Sequence, residues 1–252
     1  YDLQELHHPG FFTDAEKRRR ARLRSDLARC DRVVSISAST ADELVRRAGI
    51  RPERVSVIHP VGPTERRTLG VDSLRAELGP LGLEPGAFAL YPANFWPHKN
   101  HERLLRAVSR SPLAHDPSFR LVLCGALDTP RDELRRTVSS LGLGTCVLLL
   151  PYQPDDTMTA LLQAARFLVF PSLFEGFGIP VVEAFRLGVP VACSDIPALS
   201  EVAGDAALFF DPLSVDAIRD AAEALWSDSA LRERLSAAGR SEASRFPAGE
   251  VA

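Results

Sequence analysis

One turn decides how this sequence is interpreted: FPSLFEGFGIPVVE, residues 170–183, an apolar run followed by two glycines and a proline. The glycines flank Phe177 and let the backbone approach a ligand closely, while Pro180 suits the first turn of a helix. A helix beginning here would offer free amides and the positive end of its dipole, which favour a phosphate group. Glu175 and Glu183 would then bring two carboxylates to the same helix terminus.

Working outward from this turn, strand-like apolar runs alternate with helix-like runs along the chain. Such alternation predicts an α/β fold, a doubly wound parallel sheet covered by helices on both faces. Ligands bind such sheets at the carboxyl ends of the strands. The predicted strands are Phe88–Tyr91, Arg120–Cys124, Cys146–Leu150, Phe167–Phe170, Val189–Cys193 and Ala207–Phe210. The predicted helices begin near Asn100, Pro130, Pro154, Ile179, Ile196, Ser214 and Ser229.

A second polar loop, PANFWPHKN at residues 92–100, follows the first of these strands. Lys99 is one of only two lysines among 30 basic residues, and Asn100 could cap the next helix. A compact ammonium group at this position could neutralise a diphosphate. Simpler interpretations stay open for both loops: a surface lysine here, and helix capping by Glu175 worth about 0.3–1 kcal/mol.

The N-terminal quarter predicts helices of a more ordinary kind. An arginine-rich helix is predicted at about Asp14–Cys30, and its basic run is interpreted as a solvated face, with Leu23 and Leu27 inward, rather than as a membrane-surface patch. The next helix is predicted to begin near Ser39, with Asp42 completing a capping box.

Short strands at Val33–Ser37 and Val55–Ile58 surround that second helix. The residues HPVGPT at 59–64 contain two prolines and a glycine, which break regular structure and predict a linker. The sequence therefore predicts two domains, residues 1–62 and 63–252. Because the chain begins in what reads as mid-domain sequence and stops without a closing element, we expect a fragment of a longer protein.

Composition excludes several classes of function. The 252 residues carry a net charge of −3, with 45% hydrophobic and 25% charged residues, so there is no basic surplus for nucleic-acid binding. No run of ~18 apolar residues predicts a membrane span. Neither an Asp-x-Asp pair nor a Walker-type Gly-Lys-Ser/Thr occurs, and no metal site is predicted. The four cysteines, Cys30, Cys124, Cys146 and Cys193, form no CxxC pair, and buried reduced thiols are expected.

Together these loops resemble a known family, the family-4 retaining glycosyltransferases (glycosyl transferases group 1). The resemblance covers about Asp2 to Phe246, and its second half is the more specific. The turn at 170–183 resembles the family's Glu-x7-Glu motif, and His98-Lys99-Asn100 resembles its basic phosphate loop. Further matching segments are GVPV at 188–191, Ser194-Asp195, EVAGDAA at 201–207 and Asp211-Pro212.

The resemblance implies a GT-B fold, with the Rossmann-like C-terminal donor domain complete and the N-terminal acceptor domain partly present. It implies that Glu175 is the catalytic residue facing the transferred sugar and that Glu183 binds the ribose. The implied donor-binding residues are Lys99, Asn94, Gly176, Phe177, Gly178, Ile179, Glu183 and Tyr152. Two positions depart from the family pattern: Asn94 stands where many relatives have an arginine, and Tyr1 where many have a histidine.

The implied activity is metal-independent sugar transfer, with retention of anomeric configuration, from a UDP- or GDP-linked sugar to a glycan, lipid or small-molecule acceptor. No cofactor and no nucleic-acid partner are implied. The expected location is the cytoplasm, with contact to the inner face of the cell membrane as a further expectation. Two alternatives stay open: a nucleotide-sugar epimerase or hydrolase on the same architecture, and a binding module that has lost catalysis.

Overall fold

A computed structural model of the chain describes residues 2–60, 68–126 and 131–246. The α/β prediction is confirmed, with all strands of the described residues in two parallel sheets. The strands are β1 Val33–Ser35, β2 Val55–Val57, β3 Phe88–Pro92, β4 Arg120–Cys124, β5 Val147–Leu150, β6 Phe167–Phe170, β7 Val191–Ser194 and β8 Ala207–Phe210.

The seven helices predicted for the larger half begin within one residue of the predicted positions. The helices are α1 Gln4–His7, α2 Asp14–Leu27, α3 Ala38–Ala48, α4 Val71–Leu78, α5 His101–Ser109, α6 Arg131–Ser140, α7 Asp155–Ala164, α8 Ile179–Arg186, α9 Pro197–Ala203, α10 Val215–Ser227 and α11 Ser229–Ala243. The sequence did not predict α1 or α4. Short 3-10 turns lie at Pro9–Phe11, Pro52–Arg54, Gly79–Leu81, Pro97–Lys99 and Pro112–His115.

The larger sheet has the strand order β5-β4-β3-β6-β7-β8, with every pair parallel. Its central strands are apolar and buried because helices cover both faces, as in β6, whose four residues are all buried. The order reverses between β3 and β6, which pair directly. The loops after these two strands therefore lie side by side at the carboxyl end of the sheet. This is the switch point where doubly wound folds bind ligands.

The N-terminal elements form a small unit around the two-stranded sheet. Its separate core contains Leu3, Val33, Leu44 and Ile50. The linker prediction at 59–64 falls largely on residues 61–67, which lie outside the described residues, as does Tyr1. The division into domains at residue 62 therefore stays a prediction.

Two local predictions for this unit are wrong. Ser37, not Ser39, caps α3, because extended backbone at Ser37 lets its side chain accept from the Thr40 amide at 3.0 Å. Asp42 lies inside the helix and pairs with Arg46 at 2.7 Å instead of completing a capping box. Leu23 on α2 is 40% exposed and does not point inward, and no residue of α2 is buried.

The other inward prediction for α2 is confirmed, since Leu27 packs against the N-terminal core. Two arginines of the basic run of α2 form ion pairs with a buried carboxylate instead of facing solvent. Arg20 and Arg24 both pair with Glu5, whose side chain is only 3% exposed. In the described ranges, we find no helix that is both long and apolar enough to cross a membrane.

The cysteines behave as small apolar residues. Cys124, Cys146 and Cys193 are buried free thiols, as predicted, whereas Cys30 is free and exposed. Burial raises the pKa of the Cys124 thiol to about 12. These three buried thiols therefore stay protonated and pack as core side chains.

Candidate active site

The loops after β3 and β6 are bound to each other at the switch point. The Leu173 amide donates to the His98 carbonyl oxygen at 2.7 Å. Below them, the buried Tyr91 hydroxyl donates to the Lys99 carbonyl oxygen at 2.7 Å and lies 3.1 Å from the Ser172 hydroxyl. Burial, and then the charge of Glu175, raises the pKa of Tyr91. Tyr91 therefore remains neutral and supports both loops through its hydrogen bonds.

Asn100 joins a third loop to this pair. It does not cap α5 through its side chain, so that prediction is wrong: Asn100 has a φ of 62°, and its amide group points away from the helix terminus. Its Nδ2 donates to the carbonyl oxygens of Pro171 at 2.9 Å and of Pro212 at 2.8 Å. The left-handed backbone at Asn100 is thus held by contacts to the loops after β6 and β8, and it places Lys99 at their edge.

Lys99 and Glu175 form an ion pair that the sequence did not predict. The Lys99 Nζ lies 2.6 Å from Glu175 Oε1, and the two side chains are 14% and 12% exposed. Such partial exclusion from water strengthens the attraction between the charges. The ion pair therefore holds the ammonium group that is predicted to bind the phosphate next to the carboxylate that is predicted to face the sugar.

Two imidazoles beside this pair are held neutral. Burial is the main cause that lowers the pKa of His98 to about 3, and the Lys99 charge adds to it. The same causes, in the same order, lower the pKa of His101 to about 3. At neutral pH the positive charge of this loop therefore resides on Lys99 alone among these three side chains.

The α8 helix begins as the sequence predicted. Gly178 adopts a φ of 122°, which side chains rarely accept, and an added Cβ would lie 2.7 Å from Leu199 Cδ2. Pro180 occupies the first turn and brings no N–H, so the amides at this terminus come from its neighbours. Glu183 lies one turn further along and is only 7% exposed.

A cavity of about 300 Å³ opens at this edge of the sheet. It brings together four of the predicted donor-binding residues: Lys99, Asn94, Tyr152 and Glu183. Other lining residues are Trp96, Gly125, Gln153, Asp155, Met158 and Pro180. We call this space the donor cavity. Polar groups on an otherwise apolar lining are typical of a ligand site.

The remaining predicted site residues lie around the donor cavity, not on its wall. Phe177 is buried, with its ring 5.4 Å from the rings of both His59 and Phe246. Ile179 packs against the core. Glu175 does not line the donor cavity but forms an ion pair with Lys99, which does. The Glu175 side chain instead lines a different cavity, beside the N-terminal unit.

Gly176 is held by the N-terminal unit. Its carbonyl oxygen accepts from the Ser37 hydroxyl at 2.7 Å and from the Thr40 hydroxyl at 3.2 Å. An added Cβ on Gly176 would lie 2.8 Å from Ile36 Cδ1, so any side chain here would have to displace the end of the Ile36 side chain. Glu201 reinforces the same contact by accepting from the Ala38 and Ser39 amides at 2.7 and 2.8 Å. Nothing in the sequence pattern indicated these contacts.

The side chain of Asn94 forms a hydrogen bond within the protein. Its Oδ1 accepts from the Ala126 amide at 2.9 Å and so ties the loop after β3 to the end of β4. Gly125 allows this approach, because an added Cβ would lie 2.3 Å from the Ala93 carbonyl oxygen. Sequence reasoning missed Gly125, although its position directly after a predicted strand could have identified it.

No cluster of three or more histidine, cysteine or acidic side chains is arranged to hold a metal ion within residues 2–60, 68–126 and 131–246. The cationic group found at the site in those ranges is the Lys99 ammonium.

Comparisons with known proteins extend these observations. The sequence profile of the family described as "Glycosyl transferases group 1" matches residues 80–242, and that of "Glycosyltransferase Family 4" matches residues 3–66. The O-antigen chain mannosyltransferase B of Escherichia coli is 38% identical over 159 residues, which are 63% of this chain and 42% of that protein. A D-inositol 3-phosphate glycosyltransferase of Rhodococcus opacus is 30% identical over 231 residues, or 87% of this chain and 51% of that protein.

Solved structures agree in fold. The Anabaena protein Alr3699/HepE, crystallised with UDP and glucose, superimposes with a TM-score of 0.81 at 21% identity, over 94% of this chain and 64% of that one. WaaG, a glycosyltransferase involved in lipopolysaccharide biosynthesis, gives a TM-score of 0.73 at 19% identity, over 84% and 58%. The chain thus spans about half the length of the two curated relatives described above.

Proposed function

Because this chain belongs to the glycosyl transferases group 1 family and has a GT-B fold, we propose that the protein carrying it transfers a sugar from a nucleoside-diphosphate sugar to an acceptor. The observation that carries the proposal is the donor cavity at the β3–β6 switch point. There a fixed ammonium group, a helix terminus and a buried carboxylate surround one ligand-sized space. Such a combination suits a ligand with a diphosphate at one end and hydroxyl groups at the other.

The donor is proposed to lie along the cavity in a definite direction. The diphosphate binds Lys99 on the cavity wall and extends beyond that wall to the amides of Gly176 to Ile179 at the start of α8. The ribose hydroxyls donate to Glu183, whose carboxylate can only accept. Tyr152 and Gln153 also line the cavity, and the exposed ring of Tyr152 offers a surface for the base. The transferred sugar then faces Glu175 across the ion pair.

Asn94 is proposed to contribute indirectly. Since its Oδ1 is engaged by the Ala126 amide, it positions the phosphate loop and does not replace the charge of an arginine. We therefore expect Lys99 to provide most of the positive charge for the diphosphate.

The bound ligands and names of similar proteins restrict the classes of donor and acceptor that we propose. The HepE structures contain UDP or UDP-glucose, and two similar proteins are named O-antigen chain mannosyltransferases. We infer a UDP- or GDP-linked hexose as donor and a glycan, lipid-linked or small hydroxyl-bearing molecule as acceptor. The proposed location is the cytoplasm, with contact to the inner face of the cell membrane as a further proposal.

The transfer is further proposed to retain anomeric configuration and to need no metal ion. Charge grows on the diphosphate as its bond to the sugar breaks. Lys99 and the positive end of α8 are fixed in advance at that position, and preorganised groups of this kind stabilise developing charge. Retention is supported by the resemblance of residues 170–183 to the motif of retaining enzymes.

Product analysis tests the proposal. The full-length protein is incubated with UDP- and GDP-sugars and a mixture of glycan acceptors, and the products are separated by mass and by anomeric NMR signals. We expect a glycosylated acceptor of unchanged configuration, and Glu175→Gln should lower turnover far more than donor affinity. An isomerised or hydrolysed donor would favour the epimerase or hydrolase alternative, and donor binding without any product would favour the binding module.

A further inference from the structure

A further cavity, of about 350 Å³, is lined by residues of the turn at Pro9–Phe11, the loop after β3 and the helices α5 and α6. Its volume exceeds that of the donor cavity and is within the range of small-molecule sites. We call it the aromatic cavity, because two exposed aromatic side chains line it. Its wall includes Phe11, Trp96, Glu102, Arg103, Glu133 and Thr137.

The two aromatic rings are held by neighbours and are still accessible. Phe11 is 39% exposed and Trp96 is 50% exposed. The Phe11 ring is stacked on His8, with the ring centroids 5.1 Å apart, and the Trp96 ring lies 5.6 Å from that of His98. Each ring therefore has a neighbour that limits its rotation, and it still offers apolar surface to the cavity. Covering such surface with the apolar face of a ligand is favourable.

The polar side chains on the same wall suit hydroxyl groups better than an anion. Glu102 and Glu133 outnumber Arg103, whose Nη1 already donates to Asn100 Oδ1 at 2.9 Å. Glu102 pairs with Arg106 at 2.5 Å, whereas Glu133 forms no ion pair with any residue that the structure describes. The Glu133 carboxylate is thus available to accept hydrogen bonds from a ligand.

The aromatic cavity adjoins both of the cavities at the candidate active site. It shares Leu173 with the cavity that Glu175 lines, and it shares Trp96 with the donor cavity. Leu173 and Glu175 are two positions apart in the loop after β6, so their Cα atoms lie at most about 7 Å apart. A chain of linked sugars that reaches Glu175 with one end can therefore place another of its rings in the aromatic cavity.

We propose that the aromatic cavity binds a hexopyranose ring of an acceptor glycan, one or two sugars away from the hydroxyl group that is glycosylated. One face of such a ring carries C–H groups and packs on Phe11 or Trp96, while its hydroxyl groups donate to Glu133 and accept from Arg103. The acceptor is then an oligosaccharide chain, and a single sugar lacks this contact. This inference rests on the proposed transferase function, because it names the acceptor class of that enzyme.

The first test measures KM for acceptors of different length in the full-length protein. The probes are methyl glycosides of glucose, galactose and mannose, each as the monosaccharide and as the linear trisaccharide, with the UDP- and GDP-sugars as donors. We expect the trisaccharide of the accepted sugar to have a lower KM than its monosaccharide. Phe11→Ala should raise the trisaccharide KM by about 3–10-fold, the usual loss for one aromatic contact. The monosaccharide KM, kcat and the donor dissociation constant should not change, because Phe11 does not line the donor cavity.

Matched variants separate the ring contact from a structural effect. Phe11→Tyr keeps the ring and should keep the wild-type trisaccharide KM. Phe12→Ala removes the neighbouring ring, which packs 4.6 Å from Arg20 Cζ and does not line the cavity, so both KM values should stay unchanged. Glu133→Ala, at an exposed position of α6, should raise the trisaccharide KM by about 3–10-fold as one hydrogen bond is lost. It tests the proposal even if Phe11→Ala does not fold.

Quenching of tryptophan fluorescence by iodide measures the same contact without any turnover. Of the two tryptophans in the 252 residues, Trp96 is 50% exposed and Trp226 only 9%. The trisaccharide should protect Trp96 from iodide more than the monosaccharide does. This protection should be absent in Trp96→Phe, which assigns the signal, and weaker in Phe11→Ala.

Trisaccharide KM values equal to wild type in both Phe11→Ala and Glu133→Ala, or iodide quenching of Trp96 that no trisaccharide changes, would overturn the aromatic cavity as a sugar site. Absence of transfer by the wild-type protein from every donor, with Trp96 protected as expected, would instead contradict the proposed function itself. The two failures are distinguishable because the quenching measurement needs no active enzyme.

Discussion

Replacing Lys99 by alanine tests the charge at the centre of the site. In the donor complex the ammonium group would form a charged hydrogen bond to the diphosphate, which is worth about 1.5–3 kcal/mol. Since 1.4 kcal/mol corresponds to a tenfold change, Lys99→Ala should weaken donor binding by about 10–150-fold. The side chain is only 14% exposed, so little of this interaction is lost to solvent screening.

The chain supplies its own matched control, because Lys17 is its only other lysine. Lys17 is 39% exposed and lies 3.5 Å from Asp14 within α2, a surface pair whose loss costs about 0–1 kcal/mol. Lys17→Ala should therefore leave donor affinity unchanged. Calorimetric titration with the nucleotide diphosphate measures both variants in the full-length protein.

The ion pair adds a second effect that must be separated from binding. Lys99→Ala leaves Glu175, which is 12% exposed, without its charged partner, and we expect a loss of about 1–3 kcal/mol in unfolding free energy. The double variant Lys99→Ala/Glu175→Gln removes both charges and should recover much of that stability but none of the donor affinity. A folded Lys99→Ala protein with the wild-type dissociation constant would refute the assignment of Lys99 to the diphosphate.

Three further outcomes are expected. Gly178→Ala should lower stability by about 1–3 kcal/mol, because its φ of 122° strains any side chain and the new Cβ meets Leu199; Gly144→Ala, which has open space, should change little in a denaturant titration. Burial lowers the pKa of His98 and His101 from 6.5 to about 3, so the unfolded chain binds more protons than the folded one below pH 6.5. Unfolding free energy should therefore fall as pH drops from about 6.5 towards 3, and His101→Phe should flatten this dependence; a slope unchanged in that variant would contradict the buried neutral state. Exhaustive treatment with a chelator should leave sugar transfer unchanged in a radiolabel assay, whereas loss of activity that Mg²⁺ or Mn²⁺ restores would contradict the metal-independent proposal.

The fold could be predicted largely from the sequence because its signal is local. Apolar runs such as Phe167–Phe170 are buried on both faces of a parallel sheet, and the breaks between them carry glycine or proline. The two unpredicted helices have weaker signals: α1 is a single turn of four residues, and α4 has only one buried side chain, Leu78. The cap of α3 was misplaced because Ser37 and Ser39 carry the same side chain, and only the backbone distinguishes them.

The site was predictable only in part. The resemblance to the family implied Lys99, Asn94, Tyr152 and Glu183, and the structure brings these four residues to one cavity. Their roles towards a donor remain proposals.

The contacts that fix the loop between β6 and α8 could not be predicted, since they join distant segments. Lys99 meets Glu175 across 76 residues of sequence, and Ser37 meets Gly176 across 139. Such pairings depend on how the N-terminal unit packs against the sheet, and no local pattern encodes that packing.

We propose above all that a nucleotide diphosphate binds in the donor cavity with its ribose on Glu183. The most direct test is calorimetric titration of the full-length protein with UDP, GDP and ADP, repeated on Glu183→Ala and on Glu84→Ala, an exposed glutamate before β3 at the opposite edge of the sheet. We predict that one nucleotide binds tightly, that Glu183→Ala weakens it by about 1.5–3 kcal/mol, and that Glu84→Ala has no effect. Wild-type affinity in a folded Glu183→Ala protein would contradict the account.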